Sequence, residues 1–329
     1  MASNHSDFFD TLQYLTEAFL TRRKRIQRIK KEKQSAKKPL LDWIEAFVWA
    51  AGMVLLANQY LLQAYVIPSG SMINTLLIGD RIFVNKLVYG PELLPGLAKM
   101  PSIFKPQRND IVIFENPSYI SKGPVFDIAQ RIIFMLTISL VDIDKDEAGQ
   151  PRAHFLIKRA VGMGGDRFVM ERGEMKVQFA GSDNWTDERT YAELRGWEHR
   201  ISRLMEEEQY PALEMAGKAA AWQDLGLPVP ERLRSAIPMV NSINYPDYLA
   251  LEKARLATLR SAMPHDRRYA VLMARHSLGW YVPEGRVFPL GDNRDNSRDG
   301  RYFGPVRMTK ILGKGSIIFW PMLRMGPIR

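Results

Sequence analysis

The sequence predicts a mainly β fold: an antiparallel-sheet domain that carries a helical insertion and follows one membrane-spanning helix. Three observations lead there. A predominantly apolar, uncharged stretch near the start is long enough to cross a bilayer. Short β-like runs with turn punctuation follow it and recur near the end. Between them, from about Asp183 to Arg268, the two-residue period vanishes and helix-forming composition replaces it.

Residues 1–44 read as a cytoplasmic, basic helical segment. Phe8, Phe9, Leu12, Leu15 and Phe19 fall near helical spacing, and the helix is expected over 7–38. Within it, RRKRIQRIKKEKQSAKK at 22–38 holds ten Lys or Arg and one Glu. It therefore carries +9 of the chain's net +10 and leaves +1 for all the rest. A domain built to grip a phosphate backbone would carry its basic surface on the folded part, so no nucleic-acid partner is expected.

The anchor is expected at 45–67. Between Glu45 and Asp80 no residue is charged, and AFVWAAGMVLLANQYLLQAYVI at 46–67 is long enough to span. Asn58, Gln59 and Gln63 interrupt it and read alternatively as amides that pack the helix on itself or on a partner. Because Lys and Arg concentrate on the cytoplasmic side, the basic run places the segment before the helix inside and residues after 67 outside. A cleavable leader would have a short charged region and a small-x-small site, so a retained anchor is expected.

Residues 68–182 and 271–329 are expected to form the two parts of one β-domain. RIFVNKLVYG, DIVIFENP and FLIKRAVG read as strands, RFVMERGEMKVQF as a hairpin turning near Arg172 and Gly173, and LGWYVPEG, RVFPLGD and KGSIIFW as later strands. An apolar stretch at 126–141, with IIFMLTISLV at its end, is too short to cross a membrane. It is read either as a buried element or as a segment that dips into the outer leaflet. Residues 183–270 form the helical insertion, in which YLALEKARLATLRSAM shows mixed helical spacing.

Of the 329 residues 46% are hydrophobic, which suffices for a folded core, and none is cysteine. The latter excludes disulfides, thiolate metal sites and a cysteine nucleophile. HExxH, GxGxxG, GxSxG and the phosphate loop GxxxxGK are absent, and five scattered histidines offer no metal-ligand spacing. The SxxK at Ser35 to Lys38 lies inside the basic run, where a β-lactamase-type reading has no support. No metal and no cofactor are expected.

Three segments remain. Ile67-Pro68-Ser69-Gly70-Ser71-Met72 follows the anchor, and Pro68 and Gly70 break regular structure there. Ser71 would thus sit on a turn with its hydroxyl and N–H exposed, although a lone PSGS is also a common polar turn. Lys158, in the apolar run FLIKRAV, is either an edge-strand lysine in solvent or an inward-pointing amine whose desolvation would keep it neutral as a general base. Finally, GDNRDNSRDGR at 291–301 packs three Asp, two Asn and three Arg into eleven residues. Its alternation with cations disfavours a calcium loop and favours a rigid ion-paired network supporting a site.

Taken together and in order, IPSGSM, TLLIGDRIFVNKLVYG, DIVIFENP, IKRAVGMGGD and PLGDNRDNSRDGRYFG resemble the boxes of type I (leader) signal peptidases, membrane-anchored serine proteases with a Ser/Lys dyad. The resemblance covers roughly 44–116, 155–173 and 280–321, and it carries nothing over to the insertion. It implies a signal-peptidase-like antiparallel domain in which Ser71 is the nucleophile and Lys158 the general base. By the same resemblance the Ser69 hydroxyl and the Ser71 N–H form the oxyanion hole. Ser297 orients Lys158, while Asp292, Arg294 and Asp299 stiffen the wall behind it. Ile67, Pro68, Met72, Leu76 and Ile157 line shallow pockets suited to small side chains.

Four positions depart from the family pattern: Asn74 stands where Pro is usual, Asn109 for Gly, Gly164 for Pro and Gly300 for Ser. The implied activity is removal of signal peptides from exported preproteins after Ala-x-Ala sites, through an acyl-enzyme. The implied partners are preproteins, membrane lipids and the secretion translocon. The implied location is the cytoplasmic membrane, crossed once, with the catalytic domain outside. Two rivals are a LexA-type Ser/Lys self-cleaving protein, against which the anchor argues, and a catalytically silent membrane scaffold, against which both dyad residues argue.

Overall fold

The computed structural model describes residues 13–14, 16–29, 39–94, 98–102, 104–137, 140–146, 149, 152–197 and 201–328. The chain divides into two compact units, Met1–Val54 and Leu55–Arg329. In the first, residues 16–29 are helical with exposed side chains, while the rest of the helix expected over 7–38, apart from residues 13–14, lies outside the described residues.

Helix α1 (Pro39–Tyr60) is apolar, and its Leu41–Tyr60 stretch of 20 residues is long enough to cross a membrane. The helix expected at 45–67 is therefore displaced toward the start of the chain, because Leu62–Val66 forms strand β1 instead. Hydropathy alone does not separate the two. Gln63, Ala64 and Tyr65 are buried by pairing with β2 (Arg81–Asn85), and that burial overrides helix continuation. The amides at the end of α1 are satisfied within the second unit. Asn58 Nδ2 donates to Met135 O at 3.2 Å, Gln59 Nε2 to Glu92 O at 2.8 Å and Tyr60 OH to Leu93 O at 2.9 Å.

The second unit is mixed α/β, with antiparallel sheets and a large helical contribution, so the expected mainly β class is too narrow. Its main sheet runs β1-β2-β13-β5-β6-β11-β12, where β5 is Ile111–Glu115, β6 Phe155–Met163, β11 Arg286–Leu290, β12 Val306–Arg307 and β13 Ile311–Trp320. The short strand β14 (Gly326–Pro327) also pairs with β13. A small hairpin, β3 (Glu92–Leu94) with β4 (Ala98–Lys99), lies apart.

Strand β5 explains why an unbroken apolar run folds at the centre of this sheet. Ile111 and Ile113 enter one core with Tyr65, Ile67, Met72, Leu76, Ile82 and Val84, whereas Val112 and Phe114 enter another with Ala160, Val287 and Ile311. Both faces are covered, so alternation with polar residues is not required.

A second sheet, β10-β7-β8-β9, joins β7 (Arg167–Glu171) and β8 (Glu174–Gln178) through Arg172 and Gly173, both at positive φ, as a two-residue hairpin turn demands. Strands β9 (Trp185–Asp187) and β10 (Trp280–Tyr281) bracket the helices α3 (Glu188–Leu194), α4 (Tyr210–Asp224), α5 (Glu231–Arg234), α6 (Ala236–Asn241), α7 (Tyr248–Ala262) and α8 (Arg267–Leu278). The expected insertion limits of 183 and 270 thus fall before a sheet strand and inside the last helix. Asp266, which caps α8 through Arg268 N, starts a helix that runs on to Gly279.

The apolar stretch at 126–141 is a helix, α2 (Pro124–Leu136), followed by irregular chain whose residues 138–139 lie outside the described residues. Met135 is buried, but Val125, Ile128, Ile132 and Leu136 are exposed along one face at spacings of three and four.

Candidate active site

Ser71 sits on a single 3₁₀ turn, Gly70–Met72, introduced by Ser69 in extended conformation. A turn that short leaves its first backbone N–H groups without a partner along the chain, so the Ser71 N–H is placed to serve an oxygen from outside. The Ser69 side chain is exposed and makes no capping bond. Met72 and Leu76 root the turn in the core.

Lys158 reaches this turn from β6. Its Nζ donates to Ser71 Oγ at 2.8 Å and to Ile157 O at 2.9 Å. Both partners are buried, Lys158 at 3% exposure and Ser71 at 8%. Val112 stands opposite Lys158 in the sheet. Such surroundings disfavour the ammonium form: burial pulls the Lys158 pKa down to about 8, against the opposing pull of Asp299 and Asp292.

The wall behind the dyad is the 291–301 loop. Asp292 is held by Arg159, Nε to Oδ1 at 2.8 Å and Nη2 to Oδ2 at 2.7 Å, while Thr75 Oγ1 donates to Oδ2 at 2.5 Å. Arg159 also donates to Asn109 Oδ1 at 2.9 Å. Asp299 accepts from Gly291 N at 3.0 Å and from Arg301 Nε at 2.9 Å. Burial would raise the Asp299 carboxyl, but Arg301 and these bonds hold it below the ordinary carboxylate range. Arg294 pairs with Glu188 and donates to Gly291 O.

Two expected roles differ from the geometry. Ser297 does not bond Lys158: its buried hydroxyl has no hydrogen-bond partner among the described residues, because Nζ is directed at Ser71 and at Ile157 O. It is nonetheless close. A Cβ at Gly291 would lie 2.1 Å from Ser297 Oγ and 2.7 Å from Ser71 O, so only glycine lets the loop approach the Ser71 turn. Leu76 is fully buried in the core beneath the turn and does not line the cleft, since its side chain is taken up by packing with Ile67 and Met72.

The dyad opens onto a cleft of about 590 Å³ lined by Ile67, Pro68, Ser69, Met72, Phe155 and Ile157, among others. Strand β6 pairs with β5 over 155–159 and with β11 over 159–163. On the β11 side, residues 155–158 therefore have no strand partner among the described residues. Across the cleft stands β1, the terminal strand of the sheet. Two strand edges that flank one groove form a template for an extended peptide.

The departures at 74 and 109 have a backbone reason. Asn74 and Asn109 adopt φ of 83° and 77°, a region where Asn is among the best tolerated non-glycine residues and which proline does not reach. Sequence reasoning missed Arg159, Thr75, Asn293, Arg301 and Glu188. Arg159 had a local signal, a second cation inside an apolar strand, and Arg301 had its partner Asp299 two residues away; Thr75, Asn293 and Glu188 show their roles only through partners distant in the chain.

Comparison with known proteins finds that a family model described as signal peptidase, peptidase S26, matches residues 40–320. The signal peptidase I of Aquifex aeolicus is 27% identical over 272 residues, covering 81% of this chain and 79% of that protein. That of Haemophilus influenzae is 26% identical over 287 residues, covering 84% and 69%. Subunit 1 of the mitochondrial inner membrane protease of Xenopus tropicalis is 42% identical over 60 residues, which is 18% of this chain and 34% of that protein.

Proposed function

The chain belongs to the signal peptidase family, peptidase S26, a family of serine endopeptidases, and on that premise we propose that it removes N-terminal signal peptides from exported preproteins by a Ser71/Lys158 mechanism. The observation that carries this reading is the buried 2.8 Å contact between Lys158 Nζ and Ser71 Oγ at the head of a strand-edged cleft.

The neutral Lys158 amine takes the Ser71 hydroxyl proton as Oγ attacks the scissile carbonyl carbon. The resulting oxyanion lies between the Ser71 N–H and the Ser69 hydroxyl, where loss of one donor typically costs about 10²–10³ in rate. When the intermediate collapses, Lys158 returns the proton to the leaving amine, and the signal peptide stays esterified to Ser71. Lys158 then activates a water that releases the new carboxylate. Ile67, Met72 and Ile157 line the cleft with apolar side chains, which fits small apolar residues at the cleavage site, as in Ala-x-Ala.

In this reading α1 holds the enzyme in the cytoplasmic membrane, with the basic segment inside and the catalytic unit outside, where signal peptides emerge. The exposed apolar face of α2 contacts lipid, and the secretion translocon delivers the substrate. The test is cleavage of a preprotein with an Ala-x-Ala site by the detergent-solubilised protein. Site-specific cleavage is expected from wild type and is expected to fall below detection in Ser71→Ala and Lys158→Ala. Failure of folded wild type to cleave several such precursors would favour the silent scaffold.

A further inference from the structure

The helical insertion meets the loop behind the active site through Glu188, which pairs with Arg294, and more extensively through residues 202–205. Ser202 lies beside Asn293 as a short parallel bridge: Ser202 N donates to Asp292 O at 2.8 Å and Arg294 N to Ser202 O at 3.0 Å. Asp295, two residues on, accepts from Arg203 Nε at 3.1 Å, from Leu204 N at 2.6 Å and from Met205 N at 2.9 Å. The other edge of this loop carries the nucleophile turn. There Asn293 N donates to Ser71 O at 3.1 Å and Asn293 Nδ2 to Gly70 O at 3.1 Å. Residues 292–294 are thus a filament held between the insertion on one side and Ser71 on the other.

The strut is rooted rather than hanging. Met205 and Tyr210 belong to the insertion's own core with Leu213 and Val240, and Arg203 Nη2 donates to Tyr210 OH at 2.7 Å. The Asp295 carboxylate is nearly fully buried although its backbone is partly exposed, and Arg203 is its sole side-chain cation among the described residues. A buried carboxylate that loses such a partner is destabilised where it stands, so the loop would relax toward solvent. Asn293 would move with it.

We propose that the helical insertion is part of the catalytic apparatus, with Arg203 as a positioning residue that fixes the Ser71 turn through Asp295 and Asn293. The proposal rests on the peptidase reading for its effect on rate. Its geometric part does not. A displacement of the reacting hydroxyl by about 1 Å can cost about 10²-fold in turnover without weakening substrate binding, because the cleft edges at β1 and β6 are untouched.

The experiment uses full-length protein in detergent and three variants: Arg203→Met, Arg203→Lys and Arg255→Met. The last removes an insertion ion pair, Arg255 Nε to Asp224 Oδ2 at 2.6 Å, that has no link to the 291–301 loop and serves as control. Below the unfolding temperature of every variant, Arg203→Met is expected to lose about tenfold or more in kcat with KM changed less than about twofold. Arg203→Lys is expected to recover part of the loss, and Arg255→Met to keep wild-type turnover. Amide exchange at Asn293 should quicken in Arg203→Met and not in Arg255→Met. A folded Arg203→Met with wild-type kcat would overturn the proposal. Were wild type itself inert, the peptidase reading would fall while exchange at Asn293 still decided the strut: equal protection in wild type and Arg203→Met would refute it.

Discussion

In the proposed mechanism Lys158 works only as an uncharged amine, and its burial sets the pH at which that form exists. A lysine in water loses its proton near 10.4, so at neutral pH it is almost wholly the wrong species. With a pKa drawn down to about 8, a usable fraction is neutral near pH 7. The sign follows directly: acid adds the proton that blocks catalysis. We expect kcat/KM to rise about tenfold per pH unit below the depressed pKa and to level off above it, as read from initial rates on a peptide substrate. A profile flat down to pH 5 would contradict a lysine base. Neighbouring residues tune the same group in the opposite direction, since Asp299 and Asp292 favour the ammonium form. Their own charges are neutralised at short range, Asp292 by Arg159 and Asp299 by Arg301, which keeps the wall rigid without restoring full basicity to Lys158.

Among the elements, α2 combines two properties that rarely meet in a soluble domain. Its exposed face is apolar, through Val125, Ile128, Ile132 and Leu136, and its last turn accepts a hydrogen bond from Asn58 at the end of the apolar helix α1. An exposed apolar stripe beside the end of a helix long and apolar enough to cross a membrane is suited to the lipid interface. Ile128→Glu with Ile132→Glu should therefore slow cleavage of a membrane-inserted precursor in proteoliposomes several-fold and leave cleavage of a soluble peptide unchanged. Equal effects on both substrates would assign α2 to packing instead. The sequence showed this segment as apolar but not which way it faces, because the short run IIFMLTISLV fits a strand or a helix equally well. The same ambiguity hid the end of α1. Residues 62–66 are as apolar as the helix before them, and only their pairing with β2 makes them a strand. By contrast, the β7–β8 hairpin was legible, since Arg172-Gly173 between alternating residues is a local signal. At the site, the dyad residues were marked by their motifs. Thr75, Asn293 and Glu188 were not, because each acts through a partner that lies from over 100 to over 200 residues away.

On the scale of the whole molecule, charge is distributed as an address rather than as a binding surface. The run at 22–38, ahead of α1, carries +9, and all other residues of the chain together sum to +1. Each Lys or Arg near an anionic leaflet gains about 1 kcal/mol, and its transfer across the membrane opposes the potential, so in the proposed reading the basic run stays on the cytoplasmic side. This orientation is also the one the proposed reaction requires, because signal peptides are presented for cleavage on the far side. The chain has no cysteine, so single cysteines report sidedness without background. Thr21→Cys lies in the helical basic segment and Glu208→Cys in the insertion, both at exposed positions. In intact bacterial spheroplasts a membrane-impermeant maleimide should label Glu208→Cys and spare Thr21→Cys until detergent is added. The reverse pattern would put Ser71 on the cytoplasmic side, away from emerging signal peptides, and the peptidase reading would then have to yield to a cytoplasmic substrate.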